Sequence, residues 1–369
     1  MHTLAPTDMP EVSTSHLVKM AIAGLEPMYD RRNNLFCHRL KRSSSGMVME
    51  GVSYRYTIMT LLGLLRARSA RLEIFIDIEA TIGRLLKETT WVDNLGDLGI
   101  LLWLCSTSEE HQRRFYTSFK LGKALEQYPD ARRRMTMELS WFLTGLSQAN
   151  VTGMSAEVEG LAEKTYRLIC GNQGDSGLFG HMSRWNSSAG IVRGNIGSFA
   201  DQVYPTVALA HFSRSFGVAE AYDRAFRCAE MICKLQGPLG QWWWHYEANA
   251  GRVVECYPVY SVHQHGMGPM ALLALGGASQ GRFESHIRQG LNWVNGHNEL
   301  QLDLEDRTTN VIWRCIRPEG SKSYADYIHG FLGRSTANKP LNVSFECRPY
   351  ELGWLLYALT ERPTVSNLF

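Results

Sequence analysis

The string Gln173-x-x-x-Gly177-x-Phe179 returns 63 residues later as Gln236-x-x-x-Gly240-x-Trp242. The same offset pairs Ile169 with Ile232, Cys170 with Cys233, Ser198 with Ser261, Asp201 with Gln264 and Ala208 with Ala271. A third, weaker copy starts at Asn295–Glu299 and passes through a longer insert to Ser344 and the segment around Pro349. A chain that repeats at a fixed interval is built of units that each bury an apolar face against the next. An interval of this length holds one helical hairpin and a long loop.

Apolar residues at 3.6-residue spacing predict twelve helices, at 16–29, 53–66, 70–88, 94–105, 109–127, 131–148, 155–171, 199–214, 218–235, 264–276, 281–296 and 347–360. Odd-numbered ones such as 109–127 and 218–235 carry charge on one face, the mark of a solvated helix. Even-numbered ones such as 53–66, 94–105, 199–214, 264–276 and 347–360 are rich in Ala, Leu and Gly, the mark of burial on all sides. Six hairpins alternating outer and inner predict an all-α (α/α)6 toroid, with residues 1–15 as a tail and 16–369 as one domain. Only the turn at Asn249-Ala250-Gly251 and the segment 309–316 read as strands. Pro205, Pro269 and Pro349 predict the starts of three inner helices, since proline is tolerated in a first turn. Ser198-x-x-Asp201 and Ser261-x-x-Gln264 read as capping boxes. Polar residues just before these starts are expected to gather at one end of the ring.

Charge narrows the function classes. With 38 Lys+Arg against 36 Asp+Glu there is no broad basic face for nucleic acid. No apolar run is long enough to span a bilayer, and the first residues do not read as a secretory signal. The eight cysteines lack a C-x-x-C pair and predict buried thiols in a reducing cytoplasm. No cofactor is expected. No metal is expected either, because His263-x-His265 has no third ligand nearby in sequence.

The Gln-x-x-x-Gly-x-Trp/Phe strings resemble the QW repeat of squalene–hopene cyclases and related toroids, where the repeat is structural. The Asp-x-Asp-Asp acid of those cyclases is missing; the nearest string, Asp303-Leu304-Glu305-Asp306, departs from it. The zinc ligands of toroidal prenyltransferases are not recognisable. Long aromatic loops before inner helices, with Tyr, His and Arg at the helix mouths, are also similar to sugar 2-epimerases, the helical domain of glucuronyl C5-epimerases, unsaturated glucuronyl hydrolases and polysaccharide lyases. That resemblance implies an enzyme acting on a small-molecule or oligosaccharide substrate, uronic-acid-containing or otherwise anionic, by epimerase, lyase or hydrolase chemistry. The alternatives are a terpene-cyclase-like enzyme in which Asp201 protonates a polyene, and a non-catalytic ligand-binding toroid whose polar groups are helix caps.

The expected chemistry falls on the stretch Gln236–Leu275 and its counterparts. His263, with Tyr257 nearby, is the expected acid/base. Asp201 and Glu351 are the expected partner carboxyls, and Arg348 the expected clamp for an anion. Trp242, Trp243 and Trp244 offer flat faces on which a sugar ring stacks or a cavity wall is built. Tyr54, Arg55, Gln202, Tyr204, Tyr260, Gln264, His265 and Tyr350 complete the expected binding residues, each at or just before an inner helix. The loop Gly171–Gly197, with His181, Arg184, Trp185 and Arg193, is expected to roof the cavity.

Overall fold

A computed structural model describes residues 13–151, 156–183, 194–277, 281–320 and 339–360. Its twelve principal helices are α1 (Thr14–Leu25), α2 (Tyr54–Ser69), α3 (Ile78–Lys87), α4 (Leu95–Cys105), α5 (Glu109–Ser118) and α6 (Thr136–Val151). They continue as α7 (Ala156–Cys170), α8 (Ala200–Phe216), α9 (Ala219–Lys234), α10 (Gly268–Leu275, entered by a π-helical turn at His263–Met267), α11 (Glu284–Val294) and α12 (Pro349–Leu359). The even-numbered helices pack in succession, α2 on α4, α4 on α6, α6 on α8, α8 on α10 and α10 on α12. Helix α12 then packs on α2 and closes the circle. This is the (α/α)6 toroid. The expected tail, 1–15, lies mostly outside the described residues, and Thr14 already opens α1.

Helix character follows sequence. In α4 every residue is buried and the lone charge, Asp97, stands in the first turn. The outer α9 instead alternates buried Ala221, Ala225, Cys228, Ala229 and Ile232 with exposed charge. Inner helices touch through glycine. A Cβ on Gly99 would lie 2.4 Å from the backbone nitrogen of Phe142 on α6, and one on Gly63 would lie 2.1 Å from the carbonyl oxygen of Gly353 on α12. At the far end, Arg66 and Arg214 donate to the carbonyls of Tyr357 and Ala274, capping neighbouring inner helices.

Connections at the two ends differ in length. Inner helices pass to outer ones by short links, whereas α1 to α2, α7 to α8, α9 to α10 and α11 to α12 are joined by long crossings that run to the inner N-termini. Among the described residues these crossings carry two two-stranded pairs, Tyr29–Asp30 with Leu35–Phe36 and Glu305–Asp306 with Val311–Ile312, and three three-stranded antiparallel sheets built from β1 (Arg39–Ser43), β2 (Gly46–Glu50), β3 (Ile196–Ser198), β4 (His245–Glu247), β5 (Arg252–Glu255), β6 (Val259–Tyr260), β7 (Cys315–Pro318), β8 (Leu341–Ser344) and β9 (Glu346–Cys347). Their orders are β9-β1-β2, β3-β4-β5 and β8-β7-β6. The expected strands at 249–251 and 309–316 are the β4–β5 turn and β7 with the strand before it. The β1–β2 hairpin was not among the expected strands. It is mostly exposed, so no burial pattern marks it.

Three local expectations are corrected. Pro205 stands in the second turn of α8, which already begins at Ala200. The Ser198–Asp201 box forms, with Ser198 N donating to Asp201 Oδ2 and Asp201 N to Ser198 Oγ. Ser261 forms no such box, because its N and Oγ both donate to the Arg314 carbonyl. The repeat also slips by one residue. Gln202, not Asp201, is the counterpart of Gln264: Gln202 grips both backbone groups of Phe179, and Gln264 grips those of Trp242. The repeated Gln173 and Gln236 likewise donate to the carbonyls of Gly177 and Gly240 and to those of Arg224 and His286 on the next outer helix. The repeat therefore fastens hairpin to hairpin.

Candidate active site

The N-termini of α2, α4, α6, α8 and α12 converge on one polar mouth. Ser53 and Asn94 cap α2 and α4, which fixes Arg55 and Asp97 one turn inside each helix. Arg55 Nε and Nη2 donate to the two Asp97 oxygens at 2.6 and 3.0 Å, and Asn94 Nδ2 adds a third donor. The Arg55 guanidinium lies 5.5 Å from the Trp141 ring centre on α6. Trp141 meets Tyr204 of α8 edge-on at 5.0 Å, and the Tyr204 hydroxyl accepts from Trp354 Nε1 of α12 at 3.0 Å. An aromatic floor thus joins three inner helices, with Tyr204 and Trp354 buried.

Glu138 and Asp201 stand over this floor. The first turn of α6 is tied to the loop beside it, Thr136 N donating to the His181 carbonyl and Thr136 Oγ1 to that of Gly180. That bond brings His181 beside Glu138, and His181 Nδ1 lies 3.0 Å from Asp201 Oδ2. The same Asp201 oxygen accepts from Ser198 N and Ser198 Oγ, each at 2.9 Å. Asp201 Oδ1 and Glu138 Oε2 are buried and find no hydrogen-bond partner among the described residues. Burial raises the Glu138 carboxyl to about 7, and the charge of Asp201 pushes it the same way, against the pull of His181. Glu138 is the one acid in an otherwise uncharged α6. No role was expected for it from sequence, and this isolation was the available signal. His181 was expected only within the loop that roofs the cavity.

The other side of the mouth is an ion-pair network. Arg348 Nη1 donates to the Tyr56 hydroxyl at 2.8 Å, while its Nε and Nη2 face Glu346 at 3.3 and 3.2 Å. Glu346 also meets Arg314 at 3.1 Å and Arg39 at 3.0 Å. Burial alone would raise its carboxyl, but Arg314, Arg348 and Arg39 hold it below the usual range. Glu351 receives Arg314 Nη1 at 2.5 Å and the backbone N–H of Arg348 at 3.0 Å, so it closes the start of α12. Burial raises its carboxyl nonetheless. Tyr350 leans on Tyr56 at 4.6 Å between ring centres.

The aromatic stretch forms a third wall. Trp244, half-buried, lies nearly parallel to His263, with ring centres 6.0 Å apart and planes at 13°, and meets Tyr260 at 5.0 Å. The Arg314 guanidinium sits 4.9 Å from the Tyr260 ring. His263 is enclosed by Phe199, Trp244 and Tyr260, and burial lowers it to about 3. His265 is likewise buried and lowered to about 3 by desolvation, and neither ring nitrogen is bonded among the described residues. Trp242 is buried beneath Phe199 and against Gly268. Trp243 N donates to the Tyr246 hydroxyl. Tyr257 directs its hydroxyl to Glu299 at 2.9 Å, and Tyr54 stacks on Trp91 with its hydroxyl between Glu88 and Arg84. The structure thus brings Arg55, Asp201, Tyr204, Arg348 and Tyr350 to one mouth, with Trp244 and Tyr260 beside it. It packs His263, His265 and Trp242 inside, uses Gln202, Gln264 and Glu351 as fasteners, and turns Tyr54, Trp243 and Tyr257 to other partners. Arg184, Trp185 and Arg193 lie outside the described residues.

No family model and no curated protein sequence matches the chain. Solved structures do. A sugar epimerase from a ruminal bacterium is similar with a TM-score of 0.62 at 8% identity, over 96% of this chain and 100% of that one. A possible GH105 member from Klebsiella pneumoniae subsp. pneumoniae MGH 78578 is similar at 0.61 and 11%, over 98% of both chains. An unsaturated glucuronyl hydrolase specific for heparin is similar at 0.60 and 12%, over 94% and 95%. At such identities the likeness is one of fold, and it spans the whole ring. Among the described residues, no helix is long and apolar enough to cross a membrane.

Proposed function

We propose that this chain is a carbohydrate-active enzyme that hydrolyses a glycosidic bond at the mouth of the ring, with Glu138 as general acid and Asp201 as general base. The observation that carries the reading is the carboxyl pair: Glu138, buried and raised to about 7 with the charge of Asp201 acting on it, is about half protonated at neutral pH and so has a proton to give. In the step, Glu138 gives that proton to the leaving glycosidic oxygen as the C–O bond breaks. Asp201 takes a proton from the water whose oxygen forms the new bond. Ser198 orients Asp201. The Tyr56 hydroxyl, which accepts from Arg348, has its proton to donate to a sugar hydroxyl, and Trp244 with Tyr260 offers a stacking face. The paired charges at the mouth favour a sugar over an isoprenoid. The unpartnered, buried Glu138 and Asp201 oxygens argue against a ring whose polar groups are only caps. His263, buried and neutral, supports the wall behind Trp244 in this reading, and Glu351 supports α12.

The His181–Asp201 contact at 3.0 Å favours a second reading, epimerisation, in which the pair removes a proton from a carbon next to a carbonyl. One experiment tests and separates the two. Purified protein is incubated with a panel of neutral and uronate-containing oligosaccharides in D2O. Release of new reducing ends, abolished in both Glu138→Gln and Asp201→Asn, supports hydrolysis. Deuterium on a sugar carbon without bond cleavage supports epimerisation. Turnover equal to wild type in both variants removes the proposed site.

A further inference from the structure

A second concave surface lies outside the ring, away from the mouth. Between α9 and the start of α11 runs an open groove of about 500 Å³. Arg227, Glu230, Met231 and Lys234 line it from α9. Their spacing, i, i+3, i+4 and i+7, puts them on one helix face. Arg282, Phe283 and His286 line it from the other side, and Ser176 closes its upper end. Four of these groups are basic types and one is acidic. Glu230 is taken up by Arg282, which also lies over the Phe226 ring. Arg227 and Lys234 are exposed, and neither forms a hydrogen bond or ion pair among the described residues. They stand two helical turns apart, roughly 10 Å along the axis. His286 Nδ1 is held by Gln236 Oε1 at 2.6 Å, which leaves Nε2 as its free ring nitrogen. Met231, half-buried, is the apolar group at its surface, and Phe283 packs beneath it against Phe226.

We infer that this groove binds an acidic oligosaccharide, with Arg227 and Lys234 each meeting an anionic group on separate sugar residues. The inference rests on the proposed function for the saccharide class; the anionic character comes from the groove alone. Hydrogen bonds tie one edge of the groove to the elements that hold the mouth. Ser176 Oγ donates to the Ala248 carbonyl beside β4, and β4 pairs with β3, whose Ser198 holds Asp201. The mouth itself has its arginines engaged by carboxylates, whereas the groove has two cations unengaged.

The test is calorimetric titration of the full chain with trigalacturonate at low salt, with maltotriose as the neutral probe and inorganic sulfate as the simple anion. Wild type binds trigalacturonate at least tenfold more tightly than either. Arg227→Gln combined with Lys234→Gln weakens it by roughly tenfold or more with an unchanged melting temperature. Glu138→Gln leaves the affinity unchanged, because the groove does not use the mouth. The inference is overturned if the double variant binds as wild type, or if maltotriose or sulfate binds equally well. Loss of binding in Glu138→Gln with retention in the double variant also overturns it, and leaves the proposed function standing.

Discussion

Replacing His263 by Phe and His265 by Met should remove part of the acid sensitivity of the fold, by an amount the structure fixes. Each imidazole is lowered from 6.5 to about 3 by burial. In the unfolded chain each binds a proton near pH 6.5, and in the folded chain neither does until about pH 3. The stability that comes from keeping them neutral is therefore complete above pH 6.5. It is lost as pH falls toward 3, at about 1.4 kcal/mol per pH unit and group. Between pH 7.5 and 5.0 that is about 2 kcal/mol for each, or about 4 kcal/mol for the pair. Glu138 acts in the opposite sense. Its carboxyl is raised from 4.5 to about 7, so its contribution grows as pH falls through 7, by about 2 kcal/mol over the same range. Comparing the double variant with wild type cancels Glu138 and every other unaltered group. The assay is urea unfolding at pH 7.5 and 5.0. Wild type should lose about 4 kcal/mol more than the variant across this interval, whatever the variant costs at pH 7.5. Equal losses would mean that both rings are solvated, and the packing of His263 between Phe199 and Trp244 would be refuted.

Four further outcomes follow from the same geometry. Gly99→Ala places a methyl 2.4 Å from the Phe142 backbone nitrogen, so α4 and α6 must move apart; chemical denaturation should show a loss of about 1–3 kcal/mol. Gln264→Leu leaves the buried backbone N–H of Trp242 without its acceptor, and unfolding should show a cost of about 1–3 kcal/mol, as should Gln202→Leu at Phe179. Trp244→Ala removes a stacking face while sparing the carboxyl pair, so steady-state kinetics on an active oligosaccharide should show KM raised roughly tenfold with kcat little changed. Above pH 7 Glu138 gives up its proton, and kcat should fall about tenfold per pH unit there.

Helix content and ring order were legible because burial leaves a mark on composition. The inner helix Leu95–Cys105 carries no charge beyond its first turn, and the outer α9 carries charge on one side. What closes the ring was not legible. Gly63 and Gly353 read as weak points of two helices until the contact between them is seen. The sheets at the mouth were hidden for the opposite reason, since exposed strands such as β2 show no alternation of burial.

At the site, type and position carried different amounts of information. Asp201, Arg55, Tyr204 and Arg348 were expected at helix starts and stand at the mouth. The histidines drew attention because imidazole titrates near neutral pH, yet a π-helical turn carries His263 and His265 into the interior. Glu138 was passed over because a single Glu in a first turn reads as a dipole-compensating residue. Only the approach of His181 and Asp201 from another hairpin sets charged groups around it. The one-residue slip between Gln202 and Gln264 was invisible for a similar reason: it shows in which backbone each amide grips.

The account rests most heavily on the proton held by Glu138 beside Asp201. Isotope-edited infrared titration, subtracting Glu138→Gln from wild type, reads that carboxyl directly and needs no substrate. A midpoint near 7, moved downward when Asp201 is replaced by Asn, is the expected result. A midpoint near 4.5 that ignores the Asp201 substitution would contradict the acid, the pair and the chemistry built on them.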